Sequence, residues 1–355
     1  MPAKKIGVIG VGAIACWAHI PGILRSPDLE LSAICDTDEA ALESAALRYD
    51  IPKERCYRSS EELLARSGVD AVDICTPNDV HVPIALKAAA AGLPFSVEKP
   101  LAMDAHQAEQ LARETRSRGL ANMVCFSYRF KTAARYARAL VQSGELGELY
   151  HVNMRYFQAW GMPVCKTPLL WRFISARTGS GALGDLGSHG LDLVRFVTGR
   201  EYEQLVSHNG TLITEREKPD GSGPGPVDVD DFSNTLARME GGLPAVFEIT
   251  RFAYGRGNYQ RMELYGSKGA LIYELDAEPD RDTLSLCQGE AMRRGNTFVN
   301  LSIPGDYRAD QTQSFADILL GKGDGLSATV EDGLKNQLAV DAVLRSARSG
   351  QWEKL

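Results

Sequence analysis

The segment from Ile6 to Ala15 constrains the fold of this chain more than any other stretch. It reads Ile-Gly-Val-Ile-Gly-Val-Gly-Ala-Ile-Ala. A short run rich in β-branched residues is followed by Gly10, Gly12 and Ala15 in the spacing G-x-G-x-x-A. This pattern predicts a buried strand, a tight turn and the start of a helix.

Each small residue of this motif has a physical reason. Gly10 can adopt the dihedral angles of the turn, Gly12 carries no Cβ to hold a ligand away, and Ala15 lets the helix pack closely on the strand. The free N–H groups at the helix start attract phosphate. We therefore predict that Gly10, Gly12, Ala13 and Ile14 bind the pyrophosphate of a dinucleotide.

A second predicted strand, Leu29 to Cys35, ends at Asp36. An acidic residue at this point of the motif accepts hydrogen bonds from the adenosine ribose. Residues 37–39 contain no Arg or Lys that could pair with a 2′-phosphate, so NAD is favoured, although NADP is not excluded. Asp36 could also cap a helix starting near Asp38, and both roles could hold at the same time.

Length and charge narrow the class of protein. A chain of 355 residues fits two domains. The net charge of -7 argues against binding to nucleic acid or to an anionic membrane. No apolar run approaches the ~20 residues of a membrane span, and the first strand begins directly after Lys5, so we expect no signal peptide. Seven cysteines without a C-x-x-C pair indicate reduced thiols in a cytoplasm and no metal site.

Strands and helices alternate up to Phe126, which predicts an α/β domain with a doubly wound parallel sheet. Two of its strands end in polar residues: Asp70 to Cys75 runs into Thr76-Pro77-Asn78, and Phe95 to Val97 runs into Glu98-Lys99-Pro100. Ligands bind at the carboxyl ends of such strands. We predict that Thr76, Pro77, Asn78, His81, Glu98 and Lys99 contact the cofactor; a surface salt bridge is the alternative for Glu98 and Lys99.

The pattern changes near Ser127, where long alternating strands and hairpins replace the βα units. We predict a boundary that divides the chain into a nucleotide-binding domain, 1–126, and an α+β domain, 127–355, built on a large open, mostly antiparallel sheet. Residues 219–226 are expected to form a loop without periodicity, and residues 328–348 a closing amphipathic helix.

A glycine-dense segment in the second domain carries Asp185 and His189, four residues apart at the start of a predicted helix. Histidine titrates near neutral pH and can take the proton of an alcohol during hydride transfer, while a carboxylate orients the imidazole. The alternatives are a capping aspartate and a histidine buried for packing alone. Asp192 and Arg195 are expected to form an ordinary ion pair within this helix.

Other polar and aromatic residues of this domain are candidates for binding. Trp171 and Arg172 could line the nicotinamide pocket or could anchor their loop. We expect Tyr128, Tyr156 and Gln158 to bind the hydroxyl groups of a substrate.

These motifs, taken in order, resemble those of the Gfo/Idh/MocA oxidoreductases, and the resemblance extends to Val229-Asp230-Asp231 and to residues 266–270. In such proteins the lysine of the Glu-Lys-Pro motif, here Lys99, bridges cofactor and substrate and helps to relay the proton. The resemblance assigns the general base to His189, a substrate hydroxyl to Asp185 and cofactor contacts to the Trp171-Arg172 pair.

The resemblance implies an NAD(P)-dependent dehydrogenase that oxidises a secondary hydroxyl of a cyclic polyol, a sugar or a sugar derivative, as inositol and levoglucosan dehydrogenases do. It also implies a homodimer or homotetramer formed through the sheet of the second domain. Two other interpretations remain: a sugar oxidoreductase that keeps and recycles its cofactor, and a non-catalytic NAD-responsive sensor.

Overall fold

The computed structural model describes residues 2–276, 281–290 and 297–355. Contacts between Cα atoms divide the chain into two compact units. The first unit comprises residues 1–127 and 309–334, and the second comprises residues 128–308 and 335–355.

The described strands, in chain order, are β1 Lys4–Ile9, β2 Leu29–Cys35, β3 Cys56–Tyr57, β4 Ala71–Ile74, β5 Phe95–Val97, β6 Asn122–Val124, β7 Leu149–Phe157, β8 Tyr202–Gly210, β9 Glu215–Glu217, β10 Pro224–Pro226, β11 Phe232–Met239, β12 Leu243–Thr250, β13 Tyr259–Gly266, β14 Gly269–Leu275, β15 Asp282–Gln288, β16 Val299–Asn300 and β17 Glu353–Lys354.

The described α-helices, in chain order, are α1 Ile20–Arg25, α2 Glu39–Tyr49, α3 Ser60–Arg66, α4 His81–Ala90, α5 Ala105–Arg118, α6 Thr132–Gln142, α7 Ser175–Thr178, α8 Ser188–Thr198, α9 Gln311–Leu319 and α10 Val330–Ser349. Two π-helical turns, Ala15–His19 and Leu183–Gly187, run directly into α1 and α8. None of the helices in the described ranges combines the length and the apolar character needed to cross a membrane.

The first unit is built on a six-stranded sheet with the order β3-β2-β1-β4-β5-β6. Every pairing in it is parallel, and β1 pairs with both β2 and β4. The chain therefore winds outward in both directions from β1, which confirms the predicted doubly wound sheet. Strand β4 is buried along its whole length, as expected for a central strand with helices on both faces.

Residues 309–334 pack with the first unit, whereas the sequence analysis placed them in the second domain. The backbone N–H of Val124, the last residue of β6, donates to the carbonyl oxygen of Ala328 at 2.8 Å. Ala328 and Val330 also belong to the apolar core of this unit. The returning segment thus completes a core that the first 127 residues leave open, which local periodicity cannot reveal.

The second unit is built on a nine-stranded sheet with the order β16-β15-β14-β13-β7-β12-β11-β8-β17. Its neighbouring strands pair antiparallel, except for the parallel pair β7 and β12. Val152, Met154 and Tyr156 of β7 are buried on one face, and the residues between them are partly exposed on the other. The predicted α+β architecture on a large, mostly antiparallel sheet is confirmed.

One local prediction in this unit is wrong. Residues 219–226 were expected to form only a loop, but Pro224–Pro226 pairs antiparallel with Glu215–Glu217 in a two-stranded sheet. Two prolines conceal the strand from sequence patterns, because proline is unusual in a ladder and is tolerated mainly at edges.

Candidate functional site

The carboxyl ends of four neighbouring strands of the first unit meet at one edge of the parallel sheet. We call this the strand-end edge and define it as residues 10–14, 36, 76–78 and 98–99. Gly10 follows β1, Asp36 follows β2, Thr76 follows β4 and Glu98 follows β5. The strand order therefore brings together the cofactor residues that the sequence predicted in this unit.

Gly10 has a φ angle of +88°, which an L-residue with a side chain rarely adopts. A Cβ at this position would lie 2.8 Å from the carbonyl oxygen of Cys75. A Cβ at Gly12 would meet no atom of the described chain within 4 Å, because the loop is open on that side. Both glycines thus behave as a phosphate-binding turn requires.

Asp36 ties the end of β2 to the glycine loop. Its Oδ2 accepts a hydrogen bond from the backbone N–H of Val11 at 2.8 Å, and its Oδ1 accepts one from Asp38 at 2.9 Å. Asp38, not Asp36, caps α2 by accepting from the backbone N–H groups of Ala40 and Ala41. The capping alternative for Asp36 is therefore wrong, and its carboxylate faces the glycine loop.

Arg58 lies beside this acidic corner, although it is 22 residues further along the sequence. Its Nη2 donates to the carbonyl oxygen of Thr37 at 3.2 Å, and its Nη1 lies 2.7 Å from Glu39 Oε2. Arg58 was not predicted, because it does not lie among residues 37–39, which directly follow Asp36. The pairing of β2 with β3, which ends at Tyr57, places Arg58 there.

The loop after β4 is held by His81. Its Nε2 lies 2.8 Å from the carbonyl oxygen of Thr76, and its Nδ1 lies 2.9 Å from that of Pro100. The side chain is fully buried, so the predicted cofactor contact is replaced by a positioning role for the loop. Burial lowers the pKa of His81.

Glu98 and Lys99 follow β5 and are both half-buried. The backbone N–H of Glu98 donates to the carbonyl oxygen of Ile74 at 2.9 Å, so this turn is tied to the end of β4. The Glu98 carboxylate bonds His19, a residue that the sequence analysis did not single out. The peptide bond between Lys99 and Pro100 is cis.

The strand-end edge fits a dinucleotide. The two glycines leave the backbone accessible, and Asp36 places a carboxylate at the end of β2. Thr76 Oγ1 is buried and has no hydrogen-bond partner within the described part of the chain. An unsatisfied polar atom at a strand end, beside a loop that only glycine can form, suits a polar ligand.

In the second unit, Asp185 and His189 lie on one continuous helical segment. The π-helical turn contains Asp185, and His189 is the second residue of α8. The helical segment thus starts early enough to carry both residues. His189 is buried, and Asp185 is half-buried.

The start of this segment is anchored by Asp230. Its two carboxylate oxygens accept hydrogen bonds from the backbone N–H groups of Gly181 and Leu183, each at 2.7 Å. Gly181 packs so closely on Asp230 and Arg251 that a Cβ there would overlap both. The carboxylate therefore satisfies free donors at a helix N-terminus, where negative charge is favoured.

Arg251 completes this anchor and is fully buried. Its Nη2 donates to the carbonyl oxygen of Asp230 at 2.7 Å, and its Nε lies 3.5 Å from Asp231 Oδ1. Burial lowers the pKa of Arg251. Among the surrounding charges, the carboxylate of Asp185 opposes this lowering most strongly. Arg251 was not predicted, since nothing near it in sequence signals a ligand.

Two tyrosines pack around His189. The ring of Tyr128 meets the imidazole edge-on with 4.7 Å between centroids, and the hydroxyl of Tyr128 lies 2.6 Å from that of Tyr156. Asn258 Oδ1 accepts from both hydroxyls, at 3.0 Å and 2.7 Å. We call Tyr128, Tyr156, Asp185, His189 and Asn258 the histidine cluster.

Burial raises the pKa of both tyrosines, and the carboxylate of Asp185 adds to the effect. Both hydroxyls therefore stay protonated at neutral pH and act as donors. Gln158 extends the network, because its Nε2 donates to Asn258 Oδ1 at 3.1 Å and its Oε1 accepts from Trp160 at 2.7 Å. Asn258 was missed by the sequence analysis, since a single asparagine in a loop carries no pattern.

A buried ion pair joins the Tyr128 turn to α8. Arg129 donates to Asp192 through Nε at 2.8 Å and through Nη2 at 2.6 Å. The expected ion pair within the helix is also present, with Arg195 3.7 Å from the same carboxylate, and Arg195 bonds Glu201 at 2.6 Å as well. The bidentate pair explains why Tyr128 packs on His189, since Arg129 and Asp192 follow these two residues closely.

Trp171 and Arg172 lie on a short 3₁₀ turn, Trp171–Phe173. The Arg172 guanidinium is 4.5 Å from the centroid of the Trp171 ring. Phe173 is buried in a small apolar cluster with Val227 and Val229. Phe173 is thus the residue that anchors the loop, and Trp171 and Arg172 remain half-buried beside it.

A parallel sheet with a phosphate-binding turn, combined with an open-sheet unit that carries a buried histidine, defines an NAD-binding oxidoreductase. Comparison with family models agrees: residues 4–126 match the oxidoreductase family with an NAD-binding Rossmann fold, and residues 134–272 match the GFO/IDH/MocA C-terminal domain. The chain belongs to the Gfo/Idh/MocA oxidoreductase family.

Individual relatives match over their whole length. Levoglucosan dehydrogenase of Pseudarthrobacter phenanthrenivorans is 30% identical, over 99% of this chain and 98% of that protein. An oxidoreductase domain protein from Kribbella flavida superposes with a TM-score of 0.88 at 32% identity, over 100% of this chain and 99% of the other. A levoglucosan dehydrogenase in complex with NADH and levoglucosan gives a TM-score of 0.87 at 27% identity, over 99% of both chains.

Proposed function

We propose that this chain is an NAD-dependent dehydrogenase that oxidises a secondary hydroxyl of a sugar, an anhydrosugar or a cyclic polyol. The observation that carries the proposal is the histidine cluster, in which two tyrosine rings pack on a buried imidazole, their hydroxyls lie 2.6 Å apart, and Asp185 precedes the histidine on the same helical segment. A site lined with several donors and acceptors suits a polyhydroxylated substrate better than an apolar one. The match to a levoglucosan dehydrogenase supports this class of substrate.

The chemistry follows from the residue types. NAD, when bound, would accept the carbon-bound hydrogen of the substrate alcohol as a hydride, and the imidazole of His189 would take the hydroxyl proton, which leaves a ketone. Asp185 binds a substrate hydroxyl and favours the imidazolium that forms. Lys99 is the third proposed catalytic group and contacts both cofactor and substrate through its ammonium.

The remaining site residues follow the sequence assignments. We propose that Gly10, Gly12, Ala13 and Ile14 bind the pyrophosphate, that Asp36 binds the ribose, and that Thr76, Pro77, Asn78 and Glu98 line the cofactor. Trp171 and Arg172 are proposed to contact the cofactor, and Tyr128, Tyr156 and Gln158 the substrate.

The proposal also covers the oligomeric state and the cellular compartment of the protein. The outer face of the nine-stranded sheet carries cross-strand ion pairs, such as Arg155 with Glu248 and Arg261 with Glu274, and is partly exposed. We expect this face to join two or four copies, and light scattering will measure the number.

All seven cysteines are free thiols, which supports a cytoplasmic location.

The test is a panel of inositols, aldoses, anhydrosugars and glycosides, assayed side by side with NAD and NADP. The variant His189→Ala is expected to lower kcat by about 10²- to 10⁴-fold, the usual contribution of a general base. Its affinity for NADH, measured by fluorescence titration, should change less than about twofold. His106→Ala, on the exposed side of α5, is the matched control and should keep full turnover.

Each negative result has a distinct meaning. Unchanged turnover in His189→Ala would remove that residue from the mechanism. NADH binding without turnover of any compound in the panel would favour the sensor interpretation, and cofactor that co-purifies and does not leave on dilution would favour the recycling one.

A further inference from the structure

A buried charge network beneath the strand-end edge has no role in the reaction as described so far. His19 ends the π-helical turn that follows the glycine loop, and only 4% of the residue is exposed. Its Nδ1 lies 2.8 Å from Asp73 Oδ2, and its Nε2 lies 2.9 Å from Glu98 Oε1. An imidazole can donate to two carboxylates at once only as an imidazolium, which is the state that this geometry favours for His19.

The two carboxylates are themselves held in place. Asp73 lies within β4, and its Oδ1 accepts a hydrogen bond at 2.6 Å from the hydroxyl of Ser96, its neighbour across the β4–β5 ladder. Glu98 Oε2 accepts a bond at 3.2 Å from the backbone N–H of Lys99. One chain of bonds thus runs from the middle of the sheet through His19 and Glu98 to the backbone of Lys99.

We propose that His19 is a positioning residue for the reaction, because its imidazolium fixes the Glu98 carboxylate, which in turn fixes the backbone of Lys99. The inference rests on the proposed function, in which Lys99 contacts cofactor and substrate. It extends that function by a residue on the glycine-loop helix. Binding of the dinucleotide and placement of the lysine then depend on the same helical turn.

The surroundings of His19 support the charged form. Cys75 follows β4, and Cys125, which follows β6, has its Sγ within 4.8 Å of the ligand atoms of His19 and Asp73. Burial raises the pKa of the Cys75 thiol to about 12 and that of Cys125 well above its usual range, so both thiols are neutral. Lys99 and His81 are the other titratable groups that act on Glu98.

The network is expected to be intact across neutral pH. Burial disfavours the charged form of His19, but the charge of the Asp73 carboxylate and its hydrogen bond to the imidazole outweigh burial, so the pKa of His19 is raised well above 6.5. Its contribution to stability is present below pH 6.5 and is lost as the pH rises through the raised pKa. Burial likewise opposes ionisation of Glu98, yet the bond from His19 holds its pKa below 4.5, so its contribution is lost only as the pH falls through that lowered value.

The direct test is ¹⁵N NMR of the histidine side chains in the wild-type protein, with the His19 signals assigned by their absence from His19→Gln. We expect both ring nitrogens of His19 to show protonated chemical shifts at pH 7.5. A neutral tautomer, or a titration near pH 6.5, would overturn the proposal. This measurement needs no substrate, and the protonation state is measured in the wild-type protein.

The kinetic test is a double-mutant cycle of His19→Gln and Glu98→Gln, read in kcat. Each single variant is expected to lose about tenfold in kcat, and the double variant should lose little more, because both changes break the same link. Ser96→Ala, which touches only the Asp73 end, is the control and should lower the melting temperature while kcat stays unchanged. Additive losses in the cycle, or an equal loss of kcat in Ser96→Ala, would make the role of His19 purely structural. Absence of turnover by the wild type would count against the proposed function, and the NMR result would still decide the state of His19.

Discussion

The strand-end edge and the histidine cluster are built in different ways. The edge is made largely of backbone: a glycine turn with a φ angle of +88° and a set of loops tied to each other through carbonyl oxygens. The cluster is made of side chains from separate parts of the chain, and its Tyr128 to Asn258 hydrogen bond spans 130 residues. The first can be recognised from ten consecutive residues, whereas the second exists only once distant strands and helices have packed.

Because of this difference, we expect different kinds of substitution to disrupt the two regions. A backbone site fails when a side chain is added where only glycine fits, because the turn then has to move. A side-chain site fails when a buried support is removed, because unpaired polar groups are left inside the protein. Three substitutions test this contrast, beginning with the largest expected effect.

Asp230→Ala removes the carboxylate that anchors the helix carrying Asp185 and His189. It leaves the N–H groups of Gly181 and Leu183 without their acceptor. We expect stability to fall by about 3–5 kcal/mol, the usual cost of breaking a buried charged network, and kcat to fall by more than about 100-fold. Thermal unfolding and steady-state kinetics measure the two effects.

The control for this variant lies two residues earlier. Asp228 also accepts bonds from a backbone N–H and a hydroxyl, both of Ser175 at 2.6 Å, but it is exposed. Asp228→Ala should therefore have a small effect on kcat. If Asp230→Ala weakened NADH binding as strongly as it lowered kcat, the two regions would not be separable in this way.

Gly10→Ala tests the backbone site. Alanine there pays the cost of a left-handed conformation, about 1–2 kcal/mol, and its Cβ also meets the carbonyl oxygen of Cys75 at 2.8 Å. We expect the dissociation constant of NADH to rise at least tenfold in a fluorescence titration.

Gly68→Ala is the control for left-handed strain at a glycine outside the strand-end edge. Gly68 has a φ angle of +66°, and a Cβ there would meet no atom of the described chain within 4 Å. This variant should lose about 1 kcal/mol of stability with unchanged NADH affinity. Equal losses of affinity in both variants would show that the effect of Gly10→Ala is a general consequence of backbone strain and is not specific to the glycine turn.

Asp36→Ser has the smallest expected effect and sharpens the contrast within the first unit. It removes the carboxylate that disfavours a 2′-phosphate, and Arg58 lies beside the same corner. We expect affinity for NADPH to rise by about tenfold, which corresponds to about 1.4 kcal/mol, and the gain to disappear in Asp36→Ser/Arg58→Gln. A gain that survives the loss of Arg58 would exclude this arginine as the phosphate partner.

Much of the first unit could be predicted, because its patterns are local. The strands Leu29–Cys35 and Phe95–Val97 have the predicted bounds. Each residue there contributes through its own backbone preference and through the period of its apolar neighbours. The return of residues 309–334 to this unit could not be predicted, since it depends on which distant surface leaves apolar side chains uncovered.

The candidate site likewise contains residues that local sequence patterns indicate and residues that only packing brings together. The sequence singled out Asp185 and His189 from their spacing and from the glycines before them. It could not show that Asp230 and Arg251 hold that segment, that Asn258 joins two tyrosine hydroxyls, or that His19 bonds Glu98. These partners are single residues that belong to no sequence pattern. The role of each depends on the side chains that folding places next to it.

By itself, the sequence determined the glycine turn, the alternation of strands and helices, and the residues on which chemistry is expected. Those features follow from dihedral preferences and short-range periodicity, which act between residues close together in the chain. Only the tertiary structure decided the partners of the buried charges, the neighbours of His189 and the position of Arg58. A buried ion must find its counter-ion wherever packing places it, and the cost of leaving it unpaired is set by the folded protein as a whole.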